Sequence, residues 1–153
     1  MSALVDTSCL LRLPALTDPR RPVTMTALSR LTGMGETITV ARQNYVEFRS
    51  VATRPTNVNG LGMTPEEVDA ELDTMEDLFL PLSDTDEVYA AWRDLCRHAS
   101  VSSKQVHDTW IAAVCGVFNI SIILTWNPED FKRFEPLIPG FQVLTPDEVM
   151  QTP

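Results

Sequence analysis

With 153 residues, 44% hydrophobic content and no long polar tract, the chain is expected to form one globular domain over residues 1–153, burying about two-thirds of its surface on folding. No run approaches the roughly 20 apolar residues that span a bilayer, and no basic-then-apolar leader opens the chain, so no membrane association is expected and the expected location is cytoplasmic. A net charge of −9 argues against plain non-specific nucleic-acid binding, which needs a basic face, but leaves phosphate chemistry open where divalent cations supply the positive charge.

In chain order, Ala3-Leu4-Val5 reads as a first buried strand that delivers Asp6 at its carboxyl end, with Thr7 or Ser8 placed to cap the next segment. A plain helix cap is the competing role for Asp6. Pro14–Pro22 contains three prolines without periodicity and reads as a loop. Apolar residues then recur at helical spacing from Val23 to Leu31, ended by Gly33 or Gly35. Thr37–Val40 alternates like a strand, and a helix from about Gln43 to Thr53 carries Glu47 among Val46, Phe48 and Val51, either in a site or on a wet face.

Arg54-Pro55 stops that helix, and Asn57–Gly62 is turn-rich. Thr64-Pro65-Glu66-Glu67 is a helix start with an N-cap, a first-position proline and a capping-box acid. Its helix puts Val68, Leu72, Met75 and Leu78 on one face and a spread of acids on the other, a solvated face. Phe79–Leu82, cut by Pro81, suits a sheet edge. Asp84–Ala99 reads as a helix with Val88, Trp92, Leu95 and Cys96 inward, and His98 at its carboxyl end. The three cysteines, Cys9, Cys96 and Cys115, show no CxxC spacing and read as buried free thiols.

The stretch from Lys104 to Phe131 concentrates the chemistry: a helix over about Gln105–Phe118 with Asp108 in its first turns, a β-branched strand over Ser121–Thr125, and the polar cluster Asn127, Glu129 and Asp130. Pro128–Pro139 is then a short helix or loop, Phe141–Leu144 a last strand, and Thr145-Pro146-Asp147-Glu148 another capped turn. Strands alternate with helices, about five of each, which argues an α/β sandwich around a mostly parallel sheet. In such sheets ligands bind outside the carboxyl ends of the strands. Asp6, Asp108 and the Asn127/Asp130 cluster are placed there, and gathered carboxylates repel one another unless cations such as magnesium or manganese resolve the conflict.

LVDTS at the amino terminus, VEF in the helix after the second strand, VHDTWIAA on a late helix and LTWNPEDF after a strand together resemble the PIN domain, and within it the ribonuclease toxins of VapC-like toxin–antitoxin pairs. The resemblance implies a PIN-like α/β/α sandwich of about five mostly parallel strands. It also implies Asp6, Glu47 and Asp108 as metal-binding catalytic acids of an Mg2+- or Mn2+-dependent endoribonuclease, with Thr7 and Thr125 at the family's hydroxyl positions near the metal. Asn127 stands where the family often has Asp: either Asp130 supplies the missing catalytic and metal-binding charge, or Asn127 acts through a water. Lys104 ahead of the late helix and His107 at the site rim are the expected phosphate contacts. Implied partners are RNA, an antitoxin bringing basic and apolar residues, and a second copy in a homodimer, with Trp92, Trp110 and Trp126 large enough to anchor an interface. A catalytically weakened RNA- or protein-binding module is the alternative that Asn127 favours, and a DxD phosphatase is disfavoured because Asp6-Thr7-Ser8 lacks the second acid.

Overall fold

The structure is a computed structural model that describes residues 1–153. Its centre is a five-stranded, wholly parallel sheet: β1 (Ser2–Val5), β2 (Thr37–Ala41), β3 (Leu80–Leu82), β4 (Ile122–Leu124) and β5 (Gln142–Leu144), in the spatial order β3-β2-β1-β4-β5. The chain first builds outward from β1 through β2 to β3, then returns to lay β4 on the other side of β1. That reversal leaves a crevice at the carboxyl ends of β1 and β4, where neither outgoing connection covers the sheet. The register Val5↔Leu124 brings the residues that follow, Asp6 and Thr125, side by side.

Both faces of a parallel sheet must be covered, so its strands are apolar on both sides. Alternate residues of β1 divide accordingly. Ala3 and Val5 face a core closed by α1 (Thr7–Leu10), α2 (Arg20–Gly33), α3 (Arg42–Ala52), α4 (Pro65–Leu78) and α7 (Pro146–Gln151), while Leu4 faces the core closed by α5 (Asp86–His98) and α6 (Gln105–Val117). The α/β/α sandwich expected from the sequence is therefore the fold.

Local chemistry sets most boundaries as expected. Thr64 Oγ1 accepts the Glu67 N–H at 3.1 Å with Pro65 at the first helical position, and Thr145 forms a full capping box with Glu148. Pro81 sits in edge strand β3, where its missing N–H costs no ladder bond on the open side.

Three expectations change and a fourth, left open between helix and loop, is resolved. The loop before α2 is shorter, because Pro22 lies in the first turn of that helix, where amide hydrogens have no intrahelical acceptor to lose. Leu78 is 66% exposed, since α4 ends there and the apolar stripe passes to Phe79, which is buried. Cys96 is only half-buried, unlike Cys9 and Cys115, because α5 is covered on one side by α6 alone. Pro128–Pro139 resolves into two 3-10 turns, Pro128–Asp130 and Lys132–Phe134, which bury Phe131 and Phe134 in the second core.

Candidate active site

Asp6 ends β1, and its backbone N–H continues the ladder to the Leu124 carbonyl at 3.0 Å. The carboxyl is buried and held by two hydroxyls: Ser8 and Thr125 both donate to Oδ2, at 2.8 and 2.9 Å. Each hydroxyl has one proton to give, and each receives a backbone N–H in return, Ser8 from Trp126 at 2.9 Å and Thr125 from Asn127 at 3.0 Å. Both hydroxyls thus donate and accept, and the polypeptide after β4 is tied to the polypeptide after β1.

Glu47 reaches the same spot from α3. Its Oε2 accepts the Thr7 hydroxyl at 2.9 Å and its Oε1 accepts Gln43 Nε2 at 2.7 Å. Gln43 also donates to the His107 carbonyl at 3.1 Å, tying α3 to the start of α6, which carries Asp108. Fully buried Asn44 orients Thr7 through Nδ2 at 3.1 Å while its Oδ1 accepts the Ala41 N–H that opens α3.

Asp6, Glu47, Asp108 and Asp130 line one open cleft of about 370 Å³, with Thr7 and Asn127. An adjoining hollow of about 340 Å³ shares Thr7, Glu47, Asp108 and Asp130 and adds Ser50 and Lys104. Of the residues expected from the sequence, Thr125 lies just beneath, buried against Asp6. His107 lines neither hollow: it is exposed, and its contact with the site is through its backbone carbonyl. Trp126 is not a free anchor, because its indole N–H is spent on Thr24 and its ring packs on the first core.

The carboxyl groups act on one another. Asp108 is pushed up to about 7, first by burial and then by the charges of Asp130, Asp6 and Glu47, with Arg133 pulling weakly the other way. Burial also raises Asp6 and Asp130; the Ser8 and Thr125 hydrogen bonds partly offset this at Asp6, where Glu47 adds to it. Such coupled, displaced carboxyls in a cleft mark a functional site. The donor set is all hard oxygen, and no three His, Cys, Asp or Glu side chains are drawn close enough to clamp an ion unaided. A magnesium-like cation fits these terms, since it binds through one or two carboxylates and keeps several waters.

Gln43, Asn44 and Ser8 are working parts of the site that sequence reasoning did not assign to it. Gln43 and Asn44 stand four and three residues before Glu47, a spacing that places Gln43 on the Glu47 side of the helix, and this was the available signal.

A family model of the PIN domain matches residues 3–136. The chain belongs to the PIN-domain family. Solved structures with the same PIN architecture include VapBC2 from Rickettsia felis bound to a DNA fragment from its promoter (15% identity, 95% of this chain and 98% of that chain covered, TM-score 0.71). VapBC-1 from nontypeable Haemophilus influenzae is similar over 96% of this chain and 99% of that one, at 15% identity and TM-score 0.67. VapC20 of Mycobacterium tuberculosis, a Sarcin-Ricin loop cleaving toxin, is similar at 16% identity over 86% of this chain and 94% of that one, with TM-score 0.63. No curated protein sequence gives a match.

Proposed function

We propose that this PIN-domain protein is a metal-dependent endoribonuclease and the toxin of a toxin–antitoxin pair, with residues 1–153 forming one domain. The observation that carries the reading is the convergence of Asp6, Glu47, Asp108 and Asp130 on a single cleft at the sheet's reversal point. The PIN family match and the VapC20 likeness support RNA as substrate.

Asp6, Glu47 and Asp108 would hold Mg2+ or Mn2+ between them, one or two directly and the rest through the ion's waters, with Asp130 flanking. Asp130 takes the role of the fourth acid, and Asn127 beside it stays a neutral cleft-lining residue whose backbone N–H supports Thr125. The chemistry such a cation supplies is Lewis acidity toward water and toward the departing oxygen of a phosphodiester. The chain's own residues do the positioning. Ser8 and Thr125 fix Asp6 by occupying Oδ2, Thr7 and Gln43 fix Glu47 by occupying both of its oxygens, and Lys104 faces the substrate phosphate from the adjoining hollow. Thr7 therefore acts through its bond to Glu47.

Asp108→Asn is expected to abolish Mg2+- or Mn2+-dependent cleavage of single-stranded RNA while the fold persists. Equal cleavage by variant and wild type would refute the assignment. The alternative of a weakened binding module has only Asn127 in its favour, and the intact acids around it count against it.

Supporting an antitoxin partner, the VapBC structures contain one by name, and an apolar groove of about 290 Å³ between α2 and α4 is lined by Leu13, Leu16, Met25, Met75 and Leu78. Leu16 and Leu78 are 76% and 66% exposed there, a cost that an amphipathic partner segment would remove. For a homodimer, Tyr89 stacks on Trp92 at 5.9 Å and Trp92 tilts against Trp110 at 6.1 Å on the half-covered α5–α6 face. Light scattering should report about twice 17.1 kDa for the isolated protein; a concentration-independent monomer would refute the dimer. No helix is long and apolar enough to cross a membrane, and a cytoplasmic location is where such an RNA substrate is met.

A further inference from the structure

The cleft is bipolar. Its lining combines the four acids with Arg12, Arg20, Arg54 and Trp126. In a chain of net charge −9 with only 12 Lys and Arg in all, the two hollows together gather four of them: these three arginines and Lys104. None of the four is ion-paired to a cleft acid. Arg12 and Arg20 both pair with Asp18, which is not among the lining residues, and Arg54 and Lys104 form no ion pair. Guanidinium groups that line a cleft with four carboxylates yet form no ion pair with them keep charge available for an anion that enters it.

The placement is built into the fold. Asp18 takes Arg20 by two contacts, Nε at 3.1 Å and Nη2 at 2.9 Å, and takes Arg12 Nη1 with its Oδ2, so one carboxylate fixes two arginines and leaves a surplus positive charge. Arg12 is mostly buried, and its Nε–H has no partner in the protein. Arg54 projects from a fixed base: the Gly62 N–H donates to its carbonyl at 2.8 Å, and Gly60 lies so close that a Cβ there would fall 2.0 Å from the same oxygen. The loop after α3 thus requires glycine in order to fold down on Arg54. Trp126 is locked by its indole bond to Thr24 Oγ1 at 2.9 Å, and it is only partly buried and lines the cleft.

We propose that Arg12, Arg20, Arg54 and Trp126 form a backbone-phosphate and base-stacking subsite for single-stranded RNA, holding the nucleotides beside the scissile phosphate at the acids. This inference rests on the ribonuclease reading above. Arginines neutralise the flanking phosphates, and the indole face accepts a base without reading its sequence.

The test uses the full-length Asp108→Asn protein, which holds RNA without cutting it, and a short end-labelled single-stranded RNA followed by fluorescence anisotropy from roughly 50 to 200 mM salt. Arg20→Gln and Arg54→Gln, both at exposed side chains whose loss leaves the cores intact, are each expected to weaken binding about tenfold and to reduce the log–log salt slope by about 0.7, the value of one single-strand phosphate contact. Trp126→Leu is expected to weaken binding with the slope unchanged, as loss of stacking does. If Arg20→Gln and Arg54→Gln retain wild-type affinity and slope while the wild type still cleaves RNA, the subsite is refuted. If the wild type neither binds nor cleaves RNA, the ribonuclease reading falls and the subsite with it.

Discussion

Removing one charge from the acid cluster should make the metal-free protein more stable. Asp108 is displaced from 3.8 to about 7 by burial and by Asp130, Asp6 and Glu47. A carboxyl raised on folding binds its proton more tightly in the native state, so its stabilising contribution is full below the unfolded value and is lost as pH climbs through about 7. Taken whole, about three units at 1.36 kcal/mol each would set a ceiling of about 4 kcal/mol. Part of the carboxyl faces cleft water, which screens it, and roughly 1–2 kcal/mol is the reasonable share. Asp108→Asn is nearly isosteric and never ionises, so at pH 8 in a chelator it should melt about 3–6 °C above the wild type, given the usual 2–4 °C per kcal/mol for a chain of this size. The gap should narrow steadily below pH 7 and close only below about the unfolded value of 3.8, and Asp6 and Asp130, displaced in the same direction, should steepen the wild-type decline. Thermal unfolding followed by circular dichroism across that range is the assay. A variant that melts at or below the wild type at pH 8 would show that Asp108 is held by favourable contacts and that the repulsion argument is wrong.

Saturating Mn2+ should reverse the order. At about 100 times its dissociation constant a ligand adds roughly 2.7 kcal/mol, so the wild type should gain several degrees on metal addition and Asp108→Asn much less; equal gains would place the ion elsewhere. Thr125→Val keeps the shape of a fully buried side chain but removes the donor to Asp6 and the acceptor for the Asn127 N–H. It should cost about 1–3 kcal/mol in urea unfolding and raise Asp6 further, with RNA cleavage reduced. Phe48→Ala, at a fully buried position beside Glu47 in sequence but facing the first core, should cost about 3–5 kcal/mol. If it unfolds the protein at no lower urea concentration than the wild type, α3 is not anchored as described.

The alternation of strands and helices was readable because parallel strands buried on both faces appear as short apolar runs, and because Thr64-Pro65 and Thr145-Pro146 announce their helices through capping chemistry that needs no tertiary partner. Asp6 was readable because it terminates such a run. What local pattern does not carry is pairing across the chain. Ser8 looks like a cap until β4 arrives beside β1 and turns it into a donor for Asp6, and Gln43 looks like a surface residue until α6 places the His107 carbonyl within its reach. Leu78 differs because α4 ends there and the apolar stripe passes to Phe79, and Pro22 because the first turn of a helix tolerates proline, so a proline-rich run does not mark where the loop ends. Arg54 was read only as a helix stop, and its second role depends on the Gly60–Gly62 loop closing over its backbone.

The hydroxyl network that fixes Asp6 joins residues 119 positions apart. Contacts of that span form late, because a long loop must close before they return any stabilisation. A fragment ending before β4 holds Asp6, Glu47 and Asp108 but lacks Thr125, which donates to Asp6, and the Trp126 N–H that supports Ser8. The groove between α2 and α4 needs no residue beyond Leu78. As synthesis proceeds from the amino terminus, every residue lining that groove is therefore in hand before β4, which completes the cutting centre, has been made. In refolding from urea, helix signal should return first and RNA cleavage last, so the order of assembly is itself a safety interval for the cell that makes the protein.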